Sequence, residues 1–190
     1  MFSRFMPLPA LLTLLLGLPP LAGLPLLMPP PAGAVELRGS TYFLRPPWSL
    51  AMLTYYSTVW DRQAEYYLTI ELPEGAGAPL GRLTVQQTRG ADWQFPFDVS
   101  RSRAFLGRPR HEGSRVPVQV SFNADQRVFD FRFPEPVPPG STITVTMRPW
   151  ANPSQSDTYL FQVVAFPAGP DPVASPVGVA TLRIYDPSGF

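Results

Sequence analysis

The chain has no cysteine, no lysine and a single histidine, His111. Without cysteine there are no disulfides, thiolate metal sites, cysteine nucleophiles or cysteine-linked lipid anchors. A Ser-His-acid triad would have to use His111. It stands beside Glu112 with Ser102 and Ser114 nearby, but outside the strand–turn–helix context of a nucleophile elbow. Past residue 34 the soft ligands reduce to His111, Met52 and Met147, and Met147 reads as core filling. The expectation is no catalytic residue, no metal and no cofactor.

Every basic side chain past the initial segment is arginine, and charge is nearly balanced at a formal +1. That balance argues against a nucleic-acid partner. Arg101, Arg103, Arg108, Arg110 and Arg115 gather in a stretch that reads as a loop, with Glu112 as its acid. Such a run is either solvated or touches an anionic polymer.

What the chain does have begins with residues 1–34. Arg4 is a short positive n-region, and Leu8 to Met28 is an apolar run broken by Pro9, Pro19, Pro20 and Pro25. Ala32-Gly33-Ala34 has small residues suited to cleavage, so 1–34 reads as a signal peptide cut before Val35. A transmembrane anchor is the competing reading, since the run is long enough to span a bilayer. Its prolines disfavour a stable spanning helix. Residues 35–190 then form a single exported domain, periplasmic or extracellular, with no membrane contact after cleavage.

That domain reads as all-β. Ala64, Tyr66, Leu68, Ile70 and Leu72 alternate with mostly polar neighbours, a half-buried strand. Leu83 and Val85 continue in a second. Val116 to Phe122 and Phe129 to Phe133 alternate on either side of Asn123-Ala124-Asp125, a hairpin signal. Pro134 to Gly140 reads as a connection. Ile143, Val145 and Met147 are expected to face in, with Thr142, Thr144 and Thr146 out. Tyr159 to Phe166 is apolar on both faces and predicts a doubly buried strand. Ala180, Leu182 and Ile184 form the last strand, and residues 186–190 read as a frayed tail. Residues 46–63 fit a short helix or a twisted strand. Their aromatic and β-branched residues favour the strand or an irregular ribbon. The sum predicts an immunoglobulin-like antiparallel β-sandwich of about seven to nine strands.

Several stretches together resemble one family. They include Ala64-Glu65-Tyr66-Tyr67-Leu68-Thr69-Ile70, Gln86-Gln87, Ala104-Phe105-Leu106-Gly107, Pro136-Val137-Pro138-Pro139-Gly140, Asn152-Pro153 and Phe166-Pro167-Ala168-Gly169. The chain from about Tyr42 to Tyr185 is similar to the exported cyanobacterial proteins of domain of unknown function 2808. The resemblance implies a source and a compartment. It implies no activity and no functional residues.

Candidate binding residues remain. Asp92, Asp98, Asn123 and Asp125 offer oxygen ligands for calcium, but as Asx residues in turns they have a simpler role. Asp92 and Asp98 as a glycosidase pair rest on spacing alone. The aromatic surplus carries more: Trp48, Trp60, Trp93 and Trp150 all follow the leader. Trp93 and Trp150 flank turns at strand ends, where they can stack on sugar rings while Asp92 and Asn152 bond hydroxyls. The competing expectation is that these indoles cap the two ends of the core, as large aromatics are usually well buried. The function expected is a non-enzymatic module binding wall or extracellular polysaccharide. The alternatives are an envelope assembly subunit pairing through a strand edge with another protein, and a hydrolase with an unrecognised site. Oligomeric state is open.

Overall fold

Alternation of apolar and polar residues builds two facing sheets, as the computed structural model of the protein shows for its described residues, 35–37 and 39–189. The expected signal peptide, 1–34, lies outside them. One sheet contains β3 (Ser49–Leu53), β4 (Tyr66–Glu71), β6 (Ala104–Arg108), β7 (His111–Val116) and β10 (Thr142–Met147), in the order β3-β4-β10-β6-β7. The other contains β5 (Leu80–Arg89), β8 (Gln119–Asn123), β9 (Val128–Val137), β11 (Asp157–Pro167) and β12 (Ser175–Ile184), in the order β12-β11-β5-β9-β8. β1 (Val35–Leu37) and β2 (Ser40–Tyr42) form a separate ribbon. All strand pairs are antiparallel. The all-β sandwich agrees with the sequence reading, although it has more strands than the seven to nine expected.

The extra strands lie where alternation is weakest. The arginine-rich stretch is not a loop: Ala104–Arg108 and His111–Val116 pair as a hairpin at the sheet edge. β7 is exposed along most of its length, so neither face needs apolar residues and no period shows. Val116 ends this hairpin, and the next strand starts only at Gln119. β9 runs on to Val137 through Pro134 and Pro136, beyond the five residues that pair with β8. Proline is tolerated there because that flank of the strand is an edge. Residues 46–63 hold β3 and then an irregular ribbon, with Leu50 and Met52 against the core. Pro187–Gly189 is a short turn of 3-10 helix.

The inward positions behave as their period predicts. Ala64, Tyr66, Leu68, Ile70 and Leu72 are buried, as are Ile143, Val145, Met147, Ala180, Leu182 and Ile184. Burying each large side chain contributes about 1.5–3 kcal/mol. Two expectations need correction. Thr144 and Thr146 point away from the sheet–sheet core but are fully buried. The Thr144 hydroxyl lies 2.8 Å from that of Thr69, and the Thr146 hydroxyl accepts from the Arg103 N–H. Tyr159 to Phe166 is not buried on both faces. Tyr159, Phe161, Val163 and Ala165 are buried, while Gln162 is exposed and Leu160, Val164 and Phe166 are half-buried.

Antiparallel pairing brings the ends of β3, β5, β8 and β10 and the starts of β4, β6, β9 and β11 to one end of the sandwich. The loops 54–65, 90–103, 124–127 and 148–156 therefore meet there. Trp60, Trp93 and Trp150 ride on three of them.

Candidate functional site: an aromatic loop end

The end of the core is closed by phenylalanine rather than tryptophan. Phe95 and Phe97 turn inward from the loop 90–103, with ring centres 5.0 Å apart, and Phe97 packs on Phe122 and Phe129 at 5.1 and 4.7 Å. This leaves the indoles outside. Trp48 is 70% exposed, Trp60 66%, Trp93 46% and Trp150 62%. The expectation that they cap the core is overturned: the four smaller rings fill the available volume. Trp48, preceding β3, lies at the opposite end from the other three.

The loop segment 96–98 pairs with 148–150. The Asp98 N–H donates to the Arg148 carbonyl at 2.8 Å, and the Trp150 N–H to the Pro96 carbonyl at 3.0 Å. Trp150 and Trp60 then line one cleft of about 800 Å³, floored by Asp92, Asn152 and Ser154. Trp93 lines a neighbouring cleft of about 830 Å³ with Phe122, Asp125 and Arg127. The clefts share Gln94 and Pro96. Of the four residues expected from sequence, three gather in the first cleft and Trp93 stands in the second. Trp60 was not anticipated.

Asn152 is 1% exposed, and its side-chain amide is engaged with other loops. Its amide donates to the carbonyls of Tyr56 and Thr58 at 2.9 and 2.8 Å, and its oxygen accepts from the Tyr66 hydroxyl at 2.7 Å. It clasps the loop 54–65 to the loop 148–156. Asp92 is likewise engaged. One oxygen accepts from the Ser154 N–H and hydroxyl at 2.9 and 2.8 Å, and the other from the Gln94 N–H at 3.0 Å. Burial pushes its carboxyl pKa up, but these donors outweigh it and hold the group below the usual carboxylate value.

Arg127 completes the scaffold. It is 5% exposed and makes no ion pair among the described residues. Its guanidinium donates to the Gln87 side-chain oxygen at 3.0 and 3.1 Å and to the Phe95 carbonyl at 2.9 Å. It also lies over the rings of Phe95, Phe97 and Phe122. Burial lowers its pKa from the usual arginine value, while nearby Asp92 and Tyr66 act in the opposite direction. Gln87 passes the tie on, donating to the Asp92 carbonyl at 3.0 Å. Gly90 anchors the same loop: at φ 149° a Cβ there would overlap the Tyr159 ring. The buried polar groups thus hold the loops, and the indoles are what they present.

Trp60 adopts φ 60°, a left-handed conformation that bulky residues rarely take. It is held by its N–H to the Pro153 carbonyl and by the Asn152 clasp. Trp60→Gly is therefore expected to leave the fold equally stable, or more stable by up to about 1 kcal/mol. Urea denaturation checks this. A loss above that size would mean that the indole packs rather than presents.

Among the described residues no group of three His, Asp or Glu is placed to hold a metal ion, and no helix is long and apolar enough to cross a membrane.

Among solved structures, the chain is similar to BslA, a bacterial hydrophobin, at 11% identity and TM-score 0.45, over 75% of this chain and 96% of that one. It is similar to the collagen-binding domain of a Staphylococcus aureus adhesin at 8% identity and TM-score 0.39, over 74% and 97%. The C-terminal domain of the Streptococcus pyogenes antigen I/II-family protein AspA matches at 10% identity and TM-score 0.44, over 72% of this chain and 46% of that one. No curated protein matches the chain. A family model described as "Protein of unknown function (DUF2808)" matches residues 40–184, from β2 to the end of β12, and the chain belongs to that family.

Proposed function

We propose that this chain is a non-enzymatic, exported cell-envelope module that binds polysaccharide at the aromatic end of its sandwich. The observation that carries the reading is the division of labour at that end. Trp60, Trp93 and Trp150 are exposed around two adjoining clefts, while Asn152, Asp92 and Arg127 beneath them are engaged in holding the loops. Flat indole faces on a fixed frame suit stacking on sugar rings, and a pre-formed frame lowers the ordering cost of binding. Export rests on the leader pattern of residues 1–34. Asp92 contributes by fixing the floor of the first cleft and Asn152 by fixing the loop that carries Trp60. Pairing with another protein through the edge of β12 has less support, because that strand contains Pro176 and its pairing is bulged at Val163/Val164.

Co-sedimentation with isolated wall and extracellular polysaccharide tests the reading. Wild type is expected to pellet. Trp60→Ala with Trp150→Ala should weaken pelleting by at least about tenfold with near-ultraviolet dichroism unchanged outside the tryptophan bands. Wild-type protein that stays in solution with every fraction would rule the reading out.

A further inference from the structure

We propose that the ligand is an acidic polysaccharide, whose carboxylate or sulfate groups enter an arginine-lined hollow beside the aromatic clefts. This rests on the polysaccharide reading above and narrows it to a chemical class. The hollow, about 640 Å³, is lined by Arg101, Arg103, Arg115 and Arg148 together with Glu65 and Ser102. Three separate parts of the chain supply the guanidiniums: the short turn Val99–Arg101 with the residues after it, the edge strand β7, and the segment after β10.

Two of the acids near the hollow, Glu65 and Glu112, share one arginine. Arg103 holds both oxygens of Glu112 at 2.7 and 3.1 Å and has Glu65 at 3.5 Å. Asp98 accepts from the Ser100 hydroxyl at 2.6 Å. Among the described residues Arg101, Arg115 and Arg148 make no ion pair and no side-chain hydrogen bond. Four arginines against Glu65, Glu112 and Asp98 leave a local excess of one positive charge, and the three guanidiniums outside any ion pair present it to the hollow. The Ser102 hydroxyl in the same wall also has no hydrogen-bond partner. Guanidinium forks match the planar, two-oxygen edge of a carboxylate or sulfate.

The hollow is joined to the aromatic cleft by sequence. Arg148 and Trp150 flank buried Pro149 on the extended segment that pairs with 96–98, so their side chains share a face. Alternate residues of such a segment lie about 7 Å apart. A polymer with a ring on Trp150 therefore has its next acid group within reach of Arg148.

The test is affinity electrophoresis of the purified protein through gels of paired polymers. Polygalacturonate is run against its methyl ester, and dextran sulfate against dextran. Each pair keeps the backbone and removes the charge, and the two pairs separate carboxylate from sulfate. At least one charged polymer is expected to bind about tenfold or more tighter than its neutral partner. Arg101→Gln, Arg115→Gln and Arg148→Gln together should remove that preference. Arg45→Gln, Arg108→Gln and Arg132→Gln, exposed away from the aromatic end and equal in charge, should change it by no more than about threefold. Equal binding to charged and neutral polymers, or equal loss in both triple variants, overturns the proposal. So does arginine-dependent binding to phosphatidylglycerol vesicles without binding to either charged polymer. Trp60→Ala with Trp150→Ala separates the two readings. Binding that needs the indoles but ignores the three arginines leaves the aromatic site and removes the acid preference. Binding that needs the arginines but ignores the indoles does the reverse.

Discussion

Asn152→Asp is expected to cost the fold about 3 kcal/mol or more at neutral pH, and less in acid. The side chain it replaces is buried, with two N–H groups aimed at the carbonyls of Tyr56 and Thr58. A carboxylate there turns an oxygen towards two carbonyl oxygens. Protonation supplies one hydrogen for one of the two carbonyls, so the folded state favours the protonated form. The introduced group thus has a folded pKa above its unfolded value of about 3.9. The deficit is therefore smallest below about pH 4 and grows as pH rises through the folded pKa. Urea denaturation of variant and wild type at pH 4 and pH 7 reads this directly. A deficit below about 1 kcal/mol at pH 7 would show that the clasp contributes little. Because Asn152 holds the segment that carries Trp60, the same variant is expected to lose polysaccharide binding while still folded at low temperature.

The second large effect is alkaline unfolding driven by tyrosine. With no lysine and no cysteine in the chain, tyrosine is the side chain that titrates between pH 8 and pH 12. Tyr66 and Tyr159 are fully buried. Burial raises the Tyr66 pKa well above the usual tyrosine value, and the nearby Tyr159 and Asp92 add to this against Arg127. Burial likewise raises Tyr159 to about 12. Tyr67 moves the same way, to about 12, through burial and its bond to Glu65, but it is partly exposed. A folded pKa above the unfolded value means that the contribution to stability is complete below about pH 10 and is lost as pH rises through the folded pKa. Each buried tyrosine contributes a slope of about 1.4 kcal/mol per pH unit, so Tyr66 and Tyr159 together give roughly 3. Against a typical stability of about 5–15 kcal/mol, two pH units remove about 6 kcal/mol, enough to unfold a domain at the lower end of that range. Tyrosinate absorbance and near-ultraviolet dichroism are expected to change together. Tyr159→Phe should reduce the slope by about half. Tyrosinate signal from the buried pair appearing while the fold persists would contradict this.

How far the sequence carried these conclusions depends on the residues concerned. β4, β9, β10 and β12 are legible because each presents one face to the core, so Tyr66, Leu68 and Ile70 or Leu182 and Ile184 stand two apart. β7 is illegible for the opposite reason: as an exposed edge it has no buried face to mark. Thr144 and Thr146 look like surface residues but are buried, with the Thr144 hydroxyl against Thr69 and the Gly107 carbonyl and that of Thr146 against Arg103, long-range contacts that no local period encodes. At the candidate site, position at a loop identified Trp93 and Trp150. It did not separate the presenting indoles from the residues that hold them. Asn152 and Asp92 read as ligand contacts because polar residues at turns usually face water, yet Asn152 is buried and half-buried Asp92 accepts from Ser154 and Gln94. Trp60 was missed because 46–63 has no clear period, and its left-handed backbone is visible only in the fold.

Contact between polysaccharide and the indoles at one end of the sandwich is read by the four indole N–H signals in a nitrogen–proton correlation spectrum of the protein. Trp48, at the opposite end, is a built-in control. On titration with soluble fragments of wall or extracellular polysaccharide, the Trp60 and Trp150 signals are expected to shift progressively and saturate together while Trp48 stays fixed. Signals of Trp60 and Trp150 that hold still throughout, or a shift confined to Trp48, would contradict the account.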